Sequence, residues 1–442
     1  MLLGLDVGTT RVKAMLLDAS GAGHGLAVEP TPFVRRPEGV EMDVVDLERT
    51  LQSVLDALGP ARERVAAAGV AGMAESGAPM AQGRSTAPII AWHDGRGERT
   101  VARLEARFGP ALARRTGRQV RSVSSVAKLG WLLEHGVVPP WRWLGVPELC
   151  LYLLTGAEAT EHSLAARTGA YAVAEGDWLP EVAECLRVAP EAFPPVRAAG
   201  AVMGHLSEAA SVWYGLPAGI PVTLAGHDHL AAANGLAVDE TDLLNSVGTA
   251  ETLLRRHRTV PDVERALGLG LAVTVWPGGE AWGVFGSAAR SGIVLGTLAA
   301  SLGQSMEELD RLAEEAGPGT AASAGRAGPR LTLAPGLEIP DGPPGVLWAG
   351  ALRALTARTV ATAARTAALL GPHRRLVVFG GGSRSRPWLA AKAEMAGVPV
   401  LRSTAAEAAA RGAALAAGAA AGWWPAPSAG PAPALEPVEG PD

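Results

Sequence analysis

Cysteine is almost missing from this chain: two of 442 residues, Cys150 and Cys185. One possible pair without metal-ligand spacing argues against a secreted disulfide framework and against a cysteine-held metal. Both read as inert core thiols. Long apolar runs are also missing, so nothing calls for a bilayer, and no basic stretch leads into an apolar signal-peptide core. The Ala-rich stretch Ala405 to Ala421 carries Glu407 and Arg411 and reads as a soluble helix. A cytoplasmic location with no membrane partner is expected. Neither sign of charge is in excess, since the formal net charge is −5. That gives no basis for a nucleic-acid partner. Lysine is scarce, with only Lys13, Lys128 and Lys392 in an arginine-rich chain. No Walker A pattern occurs. "GPGTAASAG" mimics a dinucleotide fingerprint but follows a helical segment, so it is set aside.

What is present is a soluble globular composition, 48% hydrophobic and 19% charged, long enough for two or three domains. Strand-like runs end in "VAAAGVAGMAESG", "APIIAWHD", "GIPVTLAGHDHL", "DLLNSVGTAETLL", "AWGVFGS" and "RRLVVFGGGS". They alternate with helical periodicity over Val44 to Leu58, Val101 to Phe108, Glu307 to Glu315 and Leu352 to Leu370. Alternation of this kind implies an α/β class. "GPGTAASAGRAGPR" reads as a small-residue loop and the tail from Pro425 as Pro-rich and loose.

Three glycine turns punctuate this pattern. "LGLDVGTTRVKAMLLD" reads as a β-hairpin with Gly8, Thr9 and Thr10 at its tip. Its free amides and hydroxyls suit a phosphate, and they equally suit a plain turn. "LLNSVGTAE" repeats the Val-Gly-Thr at Val247, Gly248 and Thr249, so each copy opens one half of the chain. Two such domains would clamp a nucleotide between them. The third turn, Gly380 to Ser383 in "LVVFGGGSRSRPW", lets a flat ligand approach the backbone before a helix from about Pro387.

With these turns in order, the chain resembles the FGGY family of carbohydrate kinases, which includes glycerol kinase and xylulokinase. "LDVGTTRVKAMLLD" is similar to the family's first phosphate motif and "NSVGTAE" to its second. "PVTLAGHDHLAAANGLA" is similar to the segment with the catalytic aspartate, and "GGGSRSRPW" to the adenosine motif. "IIAWHDGR", "AKLGWLLEH" and "TEHSLAARTG" fall between them in family order. The resemblance runs from Leu2 to about Gly422. It implies two actin-like, ribonuclease-H-like domains around an active-site cleft, with residues 1–237 as sugar domain, 238–424 as nucleotide domain and 425–442 as tail. ATP and Mg²⁺ are the implied cofactors, and a small sugar, ketose or polyol the implied partner. A homodimer is an assembly it allows.

Residue roles follow position by position. Asp6 would hold Mg²⁺, directly or through water, although a carboxylate there also caps turns. Gly8, Thr9, Thr10, Gly248 and Thr249 would cradle phosphates, and Gly381, Gly382 and Ser383 the adenosine. Lys13, seven residues after Asp6, matches a basic position that reaches the transferring phosphate; otherwise it is an outward-facing strand residue. Asp228 would be the general base, where a helix N-cap is the plainer reading. His227 and His229 flank it, but no downstream partner completes a metal site, and His229 is expected to contact substrate. Glu75 would accept hydrogen bonds from two adjacent hydroxyls, or else be a solvated loop charge. Trp92 would line the pocket or pack in the core. Asp94, Arg96 and Glu161 are weaker candidates for the pocket, and structural ion pairing would also account for them.

Two departures stand out. A family aromatic falls on Val123, and the family's Gly-Glu-Arg segment is reduced to "PGLEIPDG". They bear on the substrate and on the dimer contacts and leave the phosphate turns untouched. A regulatory ATPase on the same fold and a catalytically silent sugar-binding regulator are the competing classes. Asp228 with the Glu75 and Trp92 segments speaks against the regulatory ATPase, and the intact Asp6, Lys13 and Asp228 against the silent regulator.

Overall fold

The computed structural model describes residues 1–236, 238–317 and 341–440. The shortened "PGLEIPDG" segment and the small-residue loop lie almost wholly outside the described residues. Three large sheets, of six, six and seven strands, organise the rest, and two of them open the halves of the chain. In the first, six strands lie in the spatial order Gly204–His205, Pro221–His227, Ala67–Gly72, Leu2–Val7, Arg11–Leu17, Gly23–Pro30. The middle three, Pro221–His227, Ala67–Gly72 and Leu2–Val7, run parallel. Leu2–Val7 is buried along its whole length, as a central parallel strand with both faces covered must be.

The second sheet repeats the scheme. The hairpin Asp242–Val247 with Glu251–His257 opens it, as Leu2–Val7 with Arg11–Leu17 opens the first. Each opening strand has a parallel neighbour, Ala67–Gly72 in one half and Arg375–Phe379 in the other. The Val-Gly-Thr repeat is therefore structural, with each copy at the tip of the hairpin that starts its sheet. The chain has a two-domain α/β fold.

The Ala-rich segment forms the helix Ala408–Ala420, which lies on the first sheet and on the helix Asp228–Asn234. Small residues make this approach feasible. A Cβ on Gly4 would stand 1.9 Å from the Ala410 carbonyl oxygen, and one on Gly69 2.0 Å from that of Ala413. The tail differs from the loose coil expected. Leu435–Pro437 pairs antiparallel with Val400–Ser403 as an edge strand, where a proline's missing N–H costs no interior ladder bond. Cys150 is buried and both cysteines are free thiols. No helix among the described residues is long and apolar enough to cross a membrane.

Beneath the first sheet, Glu148 on the helix Val146–Thr155 is buried and accepts a 2.6 Å hydrogen bond from Thr160. Burial pushes its carboxyl up to about 7, against that hydrogen bond. The native state then holds a proton that the unfolded chain releases at lower pH. Glu148 contributes stability that is present at acid pH and lost as pH rises through about 7. Glu148→Gln should therefore melt higher than wild type at pH 8 and close to it at pH 4.5. A thermal melt series across pH checks this, and equal melting at pH 8 would contradict it.

Candidate active site

The three parallel strands of the first sheet end level with one another. Val7 and His227 both align with Gly72. The turn at residues 8–10, the loop carrying Glu75 and the helix starting at Asp228 therefore leave the sheet side by side. This is the carboxyl edge of a parallel sheet, where α/β proteins place ligands.

Asp6 and Lys13 are cross-strand partners in the hairpin, which explains their spacing. Lys13 Nζ lies 3.6 Å from Asp6 Oδ2 and 2.7 Å from Glu407 Oε2. Glu407, the N-cap position of the Ala408–Ala420 helix, is brought here by the last helix of the chain. Burial pushes the Asp6 carboxyl up to about 7 despite Lys13, and the charges of Asp228 and Glu407 add to the rise. For Lys13, burial alone would lower the pKa, but Asp6 and Glu407 outweigh it and raise it. Asp6 Oδ1 is buried without a hydrogen-bond partner. An orphaned carboxylate oxygen at the turn, among further carboxylates, fits a hard oxygen-seeking cation such as Mg²⁺.

Trp92 takes the packing role, one of the two expected of it. It packs against the first core, its indole N–H donates to Thr9 Oγ1 at 2.8 Å, and its amide donates to Ser76 Oγ at 2.7 Å. It thus ties the turn at residues 8–10 to the Glu75 loop. Glu75 adopts a left-handed backbone with φ 67°. It is no solvated loop charge. Its Oε1 accepts from Arg118 Nη1 at 2.8 Å and pairs with Arg167 Nη2 at 2.6 Å. Burial, then the charge of Arg167, lowers the Arg118 pKa to about 10, with Glu75 opposing.

Asp228 is the first residue of its helix, and His227 occupies the N-cap position. Asp228 Oδ1 accepts the His229 amide at 2.6 Å and lies 3.2 Å from His227 Nε2. Burial, then Arg167, His229 and Arg118, holds the His227 pKa well below the ordinary range, so its ring is neutral. Ligand atoms of His227, Asp228 and His229 lie within 4.8 Å of one another. The two guanidinium groups acting on His227 work against a cation there. His229 Nδ1 reaches Ser246 Oγ at 2.9 Å, so the helix of Asp228 touches the strand leading into the turn at Gly248 and Thr249.

On the other side, Asp242–Val247 and Arg375–Phe379 run parallel, with Ser246 level with Phe379. The turns at Gly248 and Gly380 leave from neighbouring strands. Gly382 presses on the first of these, since a Cβ there would stand 2.3 Å from Val247 Cγ1. Ser383 Oγ donates to the Gly380 carbonyl at 2.7 Å and shapes the turn. Behind Gly248 and Thr249, buried Glu251 pairs with Lys392 Nζ at 2.5 Å and accepts from Thr359 at 2.6 Å and Ser291 at 2.8 Å.

The weaker candidates are structural. Arg96 pairs with Asp94 at 3.0 Å and with Glu41 at 3.1 Å, while Glu161 caps the short helix His162–Ala165. Arg118, Phe285 and Glu407 joined the site without a sequence pattern that singles them out, while Arg167 and Ser246 lie in the quoted segments "TEHSLAARTG" and "NSVGTAE" but were given no role there.

Residues 1–235 match the N-terminal domain of the FGGY family of carbohydrate kinases, and residues 326–421 match its C-terminal domain. The glycerol kinase of Gloeobacter violaceus is 28% identical over 96% of this chain and 88% of its own length. The L-fuculokinase of Salmonella typhi is 28% identical, but the match covers 59% of this chain and 57% of that protein. The chain thus spans little more than half of that relative. Among solved structures, the xylulose kinase of Rhodospirillum rubrum aligns over 100% of this chain and 94% of its own, at TM-score 0.82 and 25% identity. Plasmodium falciparum glycerol kinase with ADP aligns over 99% and 94%, at TM-score 0.84 and 17% identity, a likeness of fold. With a model match over more than half of its length, the chain belongs to the FGGY family of carbohydrate kinases.

Proposed function

We propose that this protein transfers the γ-phosphoryl group of ATP to a hydroxyl of a small carbohydrate held between its two halves, with Asp228 as the base. One observation carries the reading: Asp228 stands at the common edge of Asp6, Lys13 and the Glu75 loop, and its neighbour His229 touches Ser246 beside the second phosphate turn. Phosphoryl transfer is mainly a matter of positioning and charge stabilisation, and each part has a residue here. The turns at Gly8–Thr10 and Gly248–Thr249 hold phosphate oxygens through amides and hydroxyls, and Gly381, Gly382 and Ser383 border the adenosine. Asp6 holds Mg²⁺, which when bound offsets phosphate charge. Neutral His227 leaves the Asp228 carboxylate available to take the proton. Trp92 and Glu75 shape the carbohydrate side, and His229 lines the wall between the halves.

The halves are read as actin-like domains, meeting near Val238, because each is opened by the same hairpin and phosphate-sized turn. Neither turn encloses ATP alone, so ligand should draw the halves together. Lys13 tests the charge argument. Held by Asp6 and Glu407, it is placed to meet charge that grows on the transferring group. Lys13→Met should lower kcat about 10²-fold or more, the scale of one lost electrostatic stabiliser, with a smaller change in ATP affinity. Single-turnover kinetics beside calorimetric ATP binding separates the two. Loss of ATP binding with kcat preserved would contradict the assignment.

A further inference from the structure

Glu75 was expected to offer its carboxylate to sugar hydroxyls, yet two guanidinium groups already share one of its oxygens. Arg118 Nη1 and Arg167 Nη2 both meet Oε1, at 2.8 and 2.6 Å. Among the described residues, no other carboxylate lies within ion-pair distance of either arginine. The cluster thus carries one positive charge more than Glu75 neutralises. Arg167 Nε is buried and has no hydrogen-bond partner. Both side chains are partly exposed, at 13% and 18%. His227 beside them is neutral, and Arg121 adds positive rather than negative potential.

Resting on the kinase reading above, we propose that the substrate is a polyhydroxy carboxylic acid, an aldonate, whose carboxylate is bound by Arg118 and Arg167. A planar carboxylate answers two guanidinium forks in a way that a neutral hydroxyl does not. It relieves the repulsion between the arginines and supplies the missing acceptor for Arg167. The same charges orient the molecule. Asp6, Asp228 and Glu407 add negative charge elsewhere in the site, so the carboxylate settles on the arginines and a hydroxyl of the same molecule faces Asp228. Phe285 of the second sheet lies 6.0 Å from the Arg167 guanidinium and 5.9 Å from the His227 ring, so the second half contributes to this end of the cleft. The chemistry balances as before. The hydroxyl oxygen bonds to the γ-phosphorus, the bond from that phosphorus to the β-γ bridging oxygen breaks, ADP leaves, and the proton goes to Asp228.

The test compares aldonates of four to six carbons with the polyols of matching length. Binding is read by calorimetry and turnover by detection of the phosphorylated product. At least one acid should bind about 10–100-fold tighter than its polyol, the scale of a charged hydrogen-bonded pair, and the margin should shrink as salt is added. Arg118→Gln and, separately, Arg167→Gln should cut the acid-to-polyol ratio about ten-fold or more in both readouts. Two variants are used so that one folding poorly still leaves an answer. Preference for neutral compounds, or a ratio that neither variant moves, overturns the proposal and leaves the kinase reading standing. If nothing is phosphorylated, the kinase reading falls, and the calorimetric preference alone decides whether the arginines bind a carboxylate.

Discussion

Asp228→Asn should fold, bind ATP as the wild type does, and lose roughly 10²–10⁴-fold in carbohydrate phosphorylation, the usual scale of a missing general base. A carbohydrate hydroxyl attacks poorly while it keeps its proton, and its oxygen must be aimed in line with the γ-phosphorus. The two protein contacts of Asp228, the His229 amide and His227 Nε2, both fall on Oδ1. Oδ2 is left to meet the hydroxyl. Asn preserves the Oδ1 contacts, the size and the helix start, but its amide nitrogen takes no proton. Carbohydrate affinity should therefore change little while kcat collapses. Product must be detected directly, because slow transfer to water would still release ADP. A variant that phosphorylates carbohydrate at near wild-type rate would remove Asp228 from the chemistry and leave it a residue of the helix start.

Lys392→Met should destabilise the second half by about 3–5 kcal/mol, the cost of leaving a buried charge without its partner. Glu251 is fully buried and Lys392 only 1% exposed, so water cannot replace the lost ammonium. Thr359 and Ser291 would still donate to Glu251, but two hydroxyls do not neutralise it. Burial lowers the Lys392 pKa, with Glu251 pulling the other way, as expected for a lysine kept charged by one partner. Adding Glu251→Leu to Lys392→Met removes both charges and should recover most of the loss. Glu251 begins the strand after Gly248 and Thr249, so the single variant should also weaken ATP binding. Denaturant titrations of the single and double variants provide the comparison. A single variant as stable as wild type would show that the pair holds nothing in place.

The glycine turns and the opening hairpins were legible because their geometry is local, whereas Asp228 was singled out only by the family resemblance. A strand, a glycine turn and a small hydroxyl must be adjacent in sequence to make a phosphate-sized tip, and Asp6 meets Lys13 through hairpin register. What stayed hidden depends on contacts between distant segments. Glu407 read as a solubilising charge on an Ala-rich helix, and nothing local says that this helix returns to the first sheet. Its alanines and the glycines it covers are the trace of that return, since they permit backbone contact. Arg118 sits in "GRQV", a stretch with no ligand pattern, and Arg167 in "TEHSLAARTG", where family order alone gave it no role; they meet only where Glu75 draws them together. Glu251 closes the quoted "NSVGTAE" without a role there, and its pairing with Lys392 depends on a segment far along the chain. The edge strand Leu435–Pro437 was hidden by its prolines, which on composition alone spell a loose tail.

The central claim is that the cleft moves a phosphoryl group from ATP onto a carbon-bound hydroxyl. ATP labelled in its γ-phosphate, incubated with the protein and a panel of aldonates, polyols and ketoses, tests it directly. The label should appear in an organic phosphate ester with at least one acceptor, and this transfer should fall with Asp228→Asn. Label recovered only as inorganic phosphate, whatever the acceptor, would contradict the account and leave an ATPase on this fold.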